Sequence, residues 1–199
     1  LSIRRQRQMC IRDRGGDLIR DFPIARQRYE QANDIVGYDL LKLCLDGPED
    51  NLKLTRHTQP ALLTHSLICL EIFHELTEHR IKPVLTAGHS LGEYCALVAA
   101  GALDFETALR LVQKRGECMG TYGEGEMLAF PLHLDNVKHL AEKHFCAVAA
   151  CNLPDQTVVG GRGEDLDRLT ADAASHFPKK RPTRLKTEGA FHTLSLIHI

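Results

Sequence analysis

The chain has 199 residues, of which 43% are hydrophobic and 26% are charged, and its formal net charge at pH 7 is -1. This composition is typical of a globular protein with one sizeable core. The near-neutral charge gives no electrostatic case for a nucleic-acid-binding or membrane-surface protein, and no apolar run approaches the ~18 residues of a membrane span.

The seven cysteines are scattered, odd in number and mostly surrounded by apolar residues. Because no Cys-x-x-Cys pair occurs among them, neither a disulfide framework nor a zinc site is indicated. We interpret them as reduced core residues and expect a cytoplasmic protein. The cysteines are Cys10, Cys44, Cys69, Cys95, Cys118, Cys146 and Cys151.

The two ends of the chain differ in character from the rest. Residues 1–14 carry five arginines with no apolar segment behind them, so they do not form a secretory signal peptide. We expect this segment to be disordered or foreign to the domain. Residues 194–199 are equally unlike a native flank.

Helical patterns dominate the first part of the chain. Residues 21–33 place apolar side chains at helical spacing, and Gly37 follows as a stop signal. A longer pattern predicts a helix from Thr58 to His79, with Thr58 as its N-cap and Pro60 in its first turn. The nearly continuous apolar character of this helix indicates burial on more than one side.

Strands and helices alternate in the rest of the chain. Residues 84–87 predict a strand that ends in a Gly-His-Ser turn, a helix begins at Leu91, and Asp104 caps another helix that runs to about residue 120. After two further glycines, the patterns predict strand 127–131, helix 135–144, strands 146–151 and 157–160, helix 164–176 and strand 183–186. This β-α-β-β-α-β order is that of a ferredoxin-like unit, which we expect to be an insert.

Residues 88–92 read Gly-His-Ser-Leu-Gly and fit the Gly-x-Ser-x-Gly pattern. Such a strand–turn–helix places Ser90 in a strained turn with its oxygen exposed, and a Cβ at either flanking glycine is expected to clash. The Leu91 amide, at a helix N-terminus, would face an oxyanion. A chance glycine–serine turn is the alternative, but the apolar strand before it and the apolar helix after it favour a nucleophile.

Two further residues are candidates for the same site. His192 lies in a turn of small residues, 189–193, where it is well placed to act as a general base, although an ordinary loop histidine is an equally good interpretation of the residues alone. Arg115 precedes a mid-helix glycine, which costs ~1 kcal/mol relative to alanine. That glycine would let a ligand or another backbone approach, whereas a solvated helix face is the simpler alternative.

Residues from about 15 to 193 resemble malonyl-CoA:acyl-carrier-protein transacylases, including the acyltransferase domains of polyketide synthases. Four stretches match in order and spacing: Thr-Gln-Pro-Ala at 58–61, Gly-His-Ser-Leu-Gly-Glu at 88–93, Gln-Lys-Arg-Gly-Glu-Cys-Met at 113–119, and Gly-Ala-Phe-His at 189–192. Residues 152–161 also resemble the family's Asn-x-Pro-x-Gln-x-Val-x-x-Gly segment.

The resemblance implies a malonyl-transfer site. It implies that Ser90 is the acylated nucleophile, that His192 is its base, and that Arg115 holds the free carboxylate of the malonyl group. The other residues implied to contact the substrate are His89, Phe191, Met119 and Asn152, and Phe191 is typical of the malonyl-selecting version. Malonyl-CoA is the implied substrate and an acyl carrier protein bearing phosphopantetheine is the implied partner, with no bound cofactor and no metal.

The resemblance also implies an α/β fold with a hydrolase-like, parallel-sheet large domain. We expect this large subdomain over residues 15–122, a ferredoxin-like small subdomain over 123–188, and a return to the large subdomain at 189–199. The family opens with a strand and a Gly-Gln-Gly-Ser-Gln loop and continues well beyond the histidine. Because the chain shows neither feature, we expect an incomplete large domain and little activity from these 199 residues alone.

Two other functions remain open. A serine hydrolase or thioesterase of the α/β-hydrolase class shares the serine turn, and Asp104, Asp135 or Asp155 would supply its acid. Arg115 discriminates against it, because a hydrolase of neutral esters gains nothing from an arginine in the site. The second is a non-catalytic fragment that only binds carrier protein or another acyltransferase.

Two remaining patterns have simpler interpretations. Residues 74–79 read His-Glu-Leu-Thr-Glu-His, but their histidines are five positions apart, roughly 140° around a helix, so they fail the zinc motif and are expected on the surface. The basic run at 179–186 is interpreted as a solvated strand edge in preference to a docking surface for an acidic carrier protein.

Overall fold

The computed structural model describes residues 15–196, so the arginine-rich segment 1–14 and the last three residues lie outside the described part. The described residues form two compact units, one ending at Glu117 and the other beginning at Cys118. This division falls within a helix, a few residues before the subdomain boundary predicted at 123. Within residues 15–196, no helix is both long enough and apolar enough to cross a membrane.

The first unit is built from helices. They are α1 (Gly16–Asp21), α2 (Pro23–Val36), α3 (Leu40–Asp46), α4 (Glu49–Lys53), α5 (Thr55–Leu76), α6 (Gly92–Ala99) and the first part of α7 (Phe105–Tyr122). The long helix α5 packs against α2, α3, α4 and α6. Its apolar residues share one core with α2 and α7, so α5 is buried on more than one side, as predicted.

The ends of these helices confirm some of the predicted signals and correct one. Gly37 ends α2 in the left-handed conformation with φ 78°, and the Asp104 carboxylate accepts from the Thr107 amide at 2.7 Å before α7. Thr58, however, is not the N-cap of α5, because the helix begins three residues earlier, at Thr55. The Thr58 hydroxyl instead donates to the Leu52 carbonyl at 2.5 Å.

The predicted strand at 84–87 is not formed: Val84 lies in a bend and residues 85–87 belong to no helix or strand. Residues 15–117 contain no strand in the described structure, so the parallel sheet predicted for this unit is not formed among them. A strand needs a neighbouring strand to satisfy its backbone, and residues 15–117 supply none. Val84 and Leu85 are consequently 103% and 83% exposed.

The second unit combines one sheet with two helices. After α7 its elements are β1 (Glu126–Phe130), α8 (Leu134–Lys143), β2 (Ala147–Leu153), β3 (Gln156–Gly161), α9 (Gly163–His176) and β4 (Thr183–Leu185). The strands lie in the order β2-β3-β1-β4 and every pair is antiparallel. The observed order of elements matches the predicted β-α-β-β-α-β pattern, and α8 and α9 pack on the sheet around a core that includes Phe130 and Leu166.

A polar contact joins the two helices of this unit. The Asp172 carboxylate on α9 lies 2.8 Å from Lys143 Nζ and 2.8 Å from His144 Nε2, at the end of α8. Hydrogen bonds from Lys143 and then His144 lower the pKa of Asp172 to about 2. The ionised carboxylate of Asp172 therefore links α9 to the end of α8.

Candidate active site

Ser90 occupies the sharp turn that the sequence pattern predicts. Its φ is 55°, in the left-handed region that few non-glycine residues adopt. The turn leads into α6 and is closed by hydrogen bonds from Gly92 N to His89 O at 2.9 Å and from Glu93 N to Ser90 O at 3.2 Å. The strained turn holds the serine at the N-terminal end of a helix.

The two glycines that flank this turn differ in their roles. A Cβ on Gly88 would lie 1.9 Å from the carbonyl carbon and oxygen of Gly92, so only glycine fits at position 88. A Cβ on Gly92 would meet no atom within 4 Å. The expectation that a side chain would clash at both glycines is therefore correct for Gly88 and wrong for Gly92, where a Cβ would point into open space.

Leu91 and His89 lie on either side of the serine. Leu91 is the N-cap residue of α6 with helical backbone angles, and its amide has no acceptor within residues 15–196. An unpaired amide at a helix N-terminus is a ready donor to an anion. His89 is exposed in the turn itself.

Arg115 reaches this turn from α7. Its Nη2 donates to Ser90 Oγ at 3.0 Å, although the two residues are separated by 25 positions in the chain. The side chain is half-buried, and it has no ion-pair partner within residues 15–196. The structure therefore places a guanidinium whose charge is not neutralised by any described carboxylate directly at the serine oxygen.

The structure also shows a contact residue that the sequence did not single out, Gln59. Its Oε1 accepts a hydrogen bond from Arg115 Nη1, and its side chain is buried on α5. The available signal was a polar residue on the apolar face of a long helix, inside the Thr-Gln-Pro-Ala stretch. A buried amide needs a partner, but the sequence alone does not say which.

Gly116 explains how Arg115 and Gln59 come together. A Cβ at this position would lie 2.8 Å from the Thr55 carbonyl oxygen and 2.8 Å from Arg56 Cα. The glycine thus permits a close approach of backbone to backbone between α7 and the start of α5. The sequence left open whether Gly116 makes room for a ligand or for another backbone segment. In the structure, it makes room for the backbone of α5.

The remaining predicted site residues belong to the second unit. His192 has φ 61° and an exposed side chain, in a turn where the Ala190 carbonyl accepts from Thr193 Oγ1 at 2.6 Å and from Ser195 Oγ at 2.8 Å. Phe191 is half-buried beside it, Met119 is buried near the end of α7, and Asn152 is exposed at the end of β2.

Gly125, which follows α7, lies where two segments of the second unit come together. Gly125 has φ 83°, and a Cβ there would lie 2.5 Å from the Gly161 carbonyl oxygen. Beside it, the Ala190 amide donates to the Glu124 carbonyl at 2.8 Å. The segment that carries Phe191 and His192 is thereby attached to the start of β1.

The two patterns set aside in the sequence also have places in the structure. The rings of His74 and His79 lie 5.7 Å apart, because the chain turns back after α5 with Glu78 and His79 at positive φ. His74 is therefore half-buried rather than a plain surface residue. No three His, Cys, Asp or Glu side chains within residues 15–196 form a group suited to a metal ion.

In the basic run, Lys179, Lys180 and Arg181 are exposed ahead of β4. Arg184 forms ion pairs with Glu126 and, at 2.5 Å, with Asp167. The run therefore lies along an edge strand of the second unit, and only part of its charge is neutralised within that unit.

Comparison with known proteins decides the family. The model of the acyl transferase domain matches residues 13–192, which is most of the chain. The chain belongs to the acyl transferase domain family. The predicted family resemblance is thus confirmed.

Individual relatives of this acyl transferase domain support the same family assignment. The polyketide biosynthesis malonyl CoA-acyl carrier protein transacylase BaeC of Bacillus velezensis is 38% identical over 174 residues, covering 82% of this chain and 57% of that protein. The malonyl CoA-acyl carrier protein transacylase of Coxiella burnetii superposes with a TM-score of 0.86 at 34% identity, covering 94% of this chain and 62% of that one.

A further solved structure is described as a type II polyketide-synthase acyl-carrier protein in complex with its malonyl-transacylase, PlMCAT:AntF. It superposes with a TM-score of 0.82 at 36% identity, covering 94% of this chain and 62% of that one. This acyl transferase domain therefore spans less than two thirds of the length of each of these three relatives. The likeness nevertheless establishes an α/β fold of the transacylase type.

Proposed function

We propose that the protein transfers a malonyl group from malonyl-CoA to the phosphopantetheine thiol of an acyl carrier protein through a malonyl ester on Ser90. The observation that carries this proposal is the hydrogen bond of 3.0 Å from Arg115 Nη2 to Ser90 Oγ. An arginine at the nucleophile has a purpose if the acyl group bears its own negative charge, because the planar guanidinium binds a carboxylate through two hydrogen bonds.

The dimensions of a malonyl ester suit this arrangement. The carbon of its free carboxylate is three bonds from Ser90 Oγ, at roughly 1.5 Å per bond, so it lies within about 4 Å of that oxygen. Arg115 Nη2 is already 3.0 Å from the same atom. A small change in the arginine side chain would bring both carboxylate oxygens within hydrogen-bonding distance of the guanidinium.

The same contact disfavours the two other functions considered. A hydrolase of neutral esters would place a cation beside its nucleophile without gaining any substrate interaction from it. A domain that only binds other proteins has no need of a serine at φ 55°, a conformation that is retained where it serves a purpose. The acyl-enzyme mechanism accounts for both features.

The proposed reaction has two half-reactions with the same groups. His192 takes the proton from Ser90 Oγ, which attacks the thioester carbonyl while the Leu91 amide stabilises the oxyanion. The carbon–sulfur bond breaks and coenzyme A leaves with the proton from His192. The carrier's thiol then loses its proton to His192 and attacks the malonyl ester, and Ser90 Oγ leaves and regains a proton.

The other proposed roles come from the family resemblance. His89 lines the site beside the serine, and Phe191, Met119 and Asn152 contact the acyl group. The left-handed turn at His192, which exposes its ring, supports the assignment of this residue as the base. Because the chemistry is complete with these side chains, we propose that no bound cofactor takes part and that phosphopantetheine arrives on the carrier protein.

The finer architecture is part of the same proposal. Residues 84–87 would form one strand of a hydrolase-like parallel sheet, and their apolar sequence directly before the serine turn supports this. The antiparallel sheet order β2-β3-β1-β4 supports a ferredoxin-like small domain over residues 123–188. The six described cysteines are free thiols, which supports a cytoplasmic location.

The proposal is tested by acylation of the full-length gene product. The protein is mixed with malonyl-CoA and its intact mass is measured, followed by peptide mapping. We expect one malonyl group on Ser90 and none in Ser90→Ala. A label that persists in Ser90→Ala, or a wild-type protein that gains no label, would refute the assignment.

A further inference from the structure

Gln59 holds the site arginine without carrying a charge, and this has a consequence for the choice of acyl group. We propose that Gln59 is a positioning residue: it fixes the Arg115 guanidinium beside Ser90 while leaving its positive charge available, and so gives the site its preference for acyl groups with a free carboxylate. The inference rests on the proposed function and assigns a specificity role to a residue outside the reacting groups.

The geometry of the contact supports a positioning role. The Gln59 side chain is only 5% exposed, and its Oε1 accepts from Arg115 Nη1 while Nη2 of the same guanidinium donates to Ser90 Oγ. A guanidinium has five N–H donors, so two fixed bonds leave three for a substrate. Because both terminal nitrogens are held, the plane of the group is set before any ligand arrives.

Packing gives this contact little freedom. The absence of a side chain on Gly116 allows the backbone of α7 to approach the start of α5, where a Cβ would lie 2.8 Å from the Thr55 carbonyl oxygen. Thr55 and Gln59 are both buried on α5. The glutamine is therefore presented to Arg115 by two helices in direct backbone contact, and a shift of its amide would require a shift of a helix.

Arg28, in the same unit, is paired with a carboxylate and provides a comparison for the contact between Arg115 and Gln59. Arg28 on α2 donates from Nε to Glu71 Oε2 at 3.1 Å and from Nη2 to the other carboxylate oxygen. Its side chain is 23% exposed and that of Glu71 is 26% exposed. The chain thus holds Arg28 with a carboxylate, which neutralises it, but holds Arg115 with a neutral amide.

The difference matters for substrate binding. A glutamate at position 59 would form the same hydrogen bond and add an ion pair, and its charge would repel the carboxylate of a malonyl group. An apolar residue would leave the arginine charged but unfixed, and more of its side-chain freedom would be lost when substrate binds. Only a neutral acceptor both orients the Arg115 guanidinium and leaves its positive charge available to a substrate carboxylate. An acetyl group has no free carboxylate and gains from neither effect.

The test compares malonyl-CoA with acetyl-CoA as donors to a pantetheine thiol, with the full-length gene product. In Gln59→Leu we expect kcat/KM for malonyl-CoA to fall by ~10-fold or more, mainly through KM, since a hydrogen bond to a charged group is lost. Transfer of acetyl groups should change by less than ~3-fold. Gln59→Glu should lower malonyl transfer further than Gln59→Leu does and leave acetyl transfer unchanged or faster.

Thr64→Val is the matched control, because Thr64 is fully buried on the same helix and its hydroxyl has no described partner. This substitution should leave the ratio of kcat/KM for malonyl-CoA to kcat/KM for acetyl-CoA unaltered. Equal losses for both donors in Gln59→Leu, or a wild-type preference in Gln59→Glu, would overturn the inference. If Gln59→Leu fails to fold, Gln59→Glu decides alone, because it keeps the size of the side chain and the acceptor. A wild-type protein without malonyl transfer would instead refute the proposed function.

Discussion

Replacing Gly88 by alanine tests the geometry of the serine turn most directly. The added Cβ would lie 1.9 Å from the carbonyl carbon and oxygen of Gly92 and 2.4 Å from Glu93 N. Carbon contacts normally settle at ~3.5–4.0 Å, so the main chain must move by roughly 1.5 Å or more. The obstructing atoms belong to the backbone at the start of α6 and cannot rotate away as a side chain would.

The expected magnitude follows from this overlap. Overpacking costs ~1–3 kcal/mol even where side chains can adjust, so a clash against main chain should cost about 3 kcal/mol or more in the free energy of unfolding. For a chain of 199 residues, each kcal/mol lowers the melting temperature by ~2–4 °C, so Gly88→Ala should melt at least ~6 °C below the wild type. Displacement of Ser90 should also abolish its acylation by malonyl-CoA.

Gly92→Ala provides the matched control. A Cβ at Gly92 meets nothing within 4 Å, and the residue lies in the first turn of a helix, where alanine is favoured over glycine by up to ~1 kcal/mol. Thermal and urea unfolding followed by circular dichroism should therefore show Gly92→Ala to be as stable as the wild type or more so. The reasoning is refuted if Gly88→Ala unfolds within ~1 kcal/mol of the wild type, or if Gly92→Ala is the more damaging change.

Three further outcomes are expected. Arg115→Ala should reduce malonyl transfer by ~10–100-fold and acetyl transfer far less, because it removes charged hydrogen bonds to the substrate carboxylate; equal losses would reject that role. Phe130→Ala, at a fully buried position, should lower the free energy of unfolding by ~3–5 kcal/mol in urea titrations, and a loss below ~1 kcal/mol would contradict the packing. Asp172 has a pKa lowered to about 2, chiefly by Lys143 and then His144, so the stability it confers is present above the ordinary carboxyl pKa of ~3.9 and lost as pH falls towards 2. Asp172→Asn should lower the urea midpoint at neutral pH, and its free energy of unfolding should fall less than that of the wild type as the pH falls towards 2. An equal fall in both proteins would show that another group causes the loss of stability.

The second unit could be predicted well because its signals are local. Alternating apolar residues and turn residues identify each strand, and the two-residue turn at Pro154 and Asp155 joins β2 to β3. The N-cap assigned to Thr58 was wrong because a tertiary contact took precedence over a local rule. Thr55 and Leu52 are buried, so the helix starts earlier and the Thr58 hydroxyl bonds to Leu52 instead.

The candidate site was predicted in part for a related reason. Ser90, Leu91 and Gly88 form one continuous motif whose geometry follows from neighbouring residues. The partnership of Gln59 with Arg115 joins positions 56 residues apart, through a helix contact that no periodicity reveals. Gly116 was the one visible indication of that contact, and it indicated a close approach without naming what approaches.

The unpaired segment after α5 bears on how these 199 residues would behave in solution by themselves. Residues 81–87 combine apolar side chains with a backbone that belongs to no helix or strand, and Val84 and Leu85 are 103% and 83% exposed there. Such a segment is a template for strand pairing between molecules. Lys82 and Pro83 stand at its start, where a charge and a missing amide hinder that pairing, so substitutions at these two positions should promote aggregation of the isolated 199 residues, but not of a full-length protein in which the segment is a strand of the proposed sheet.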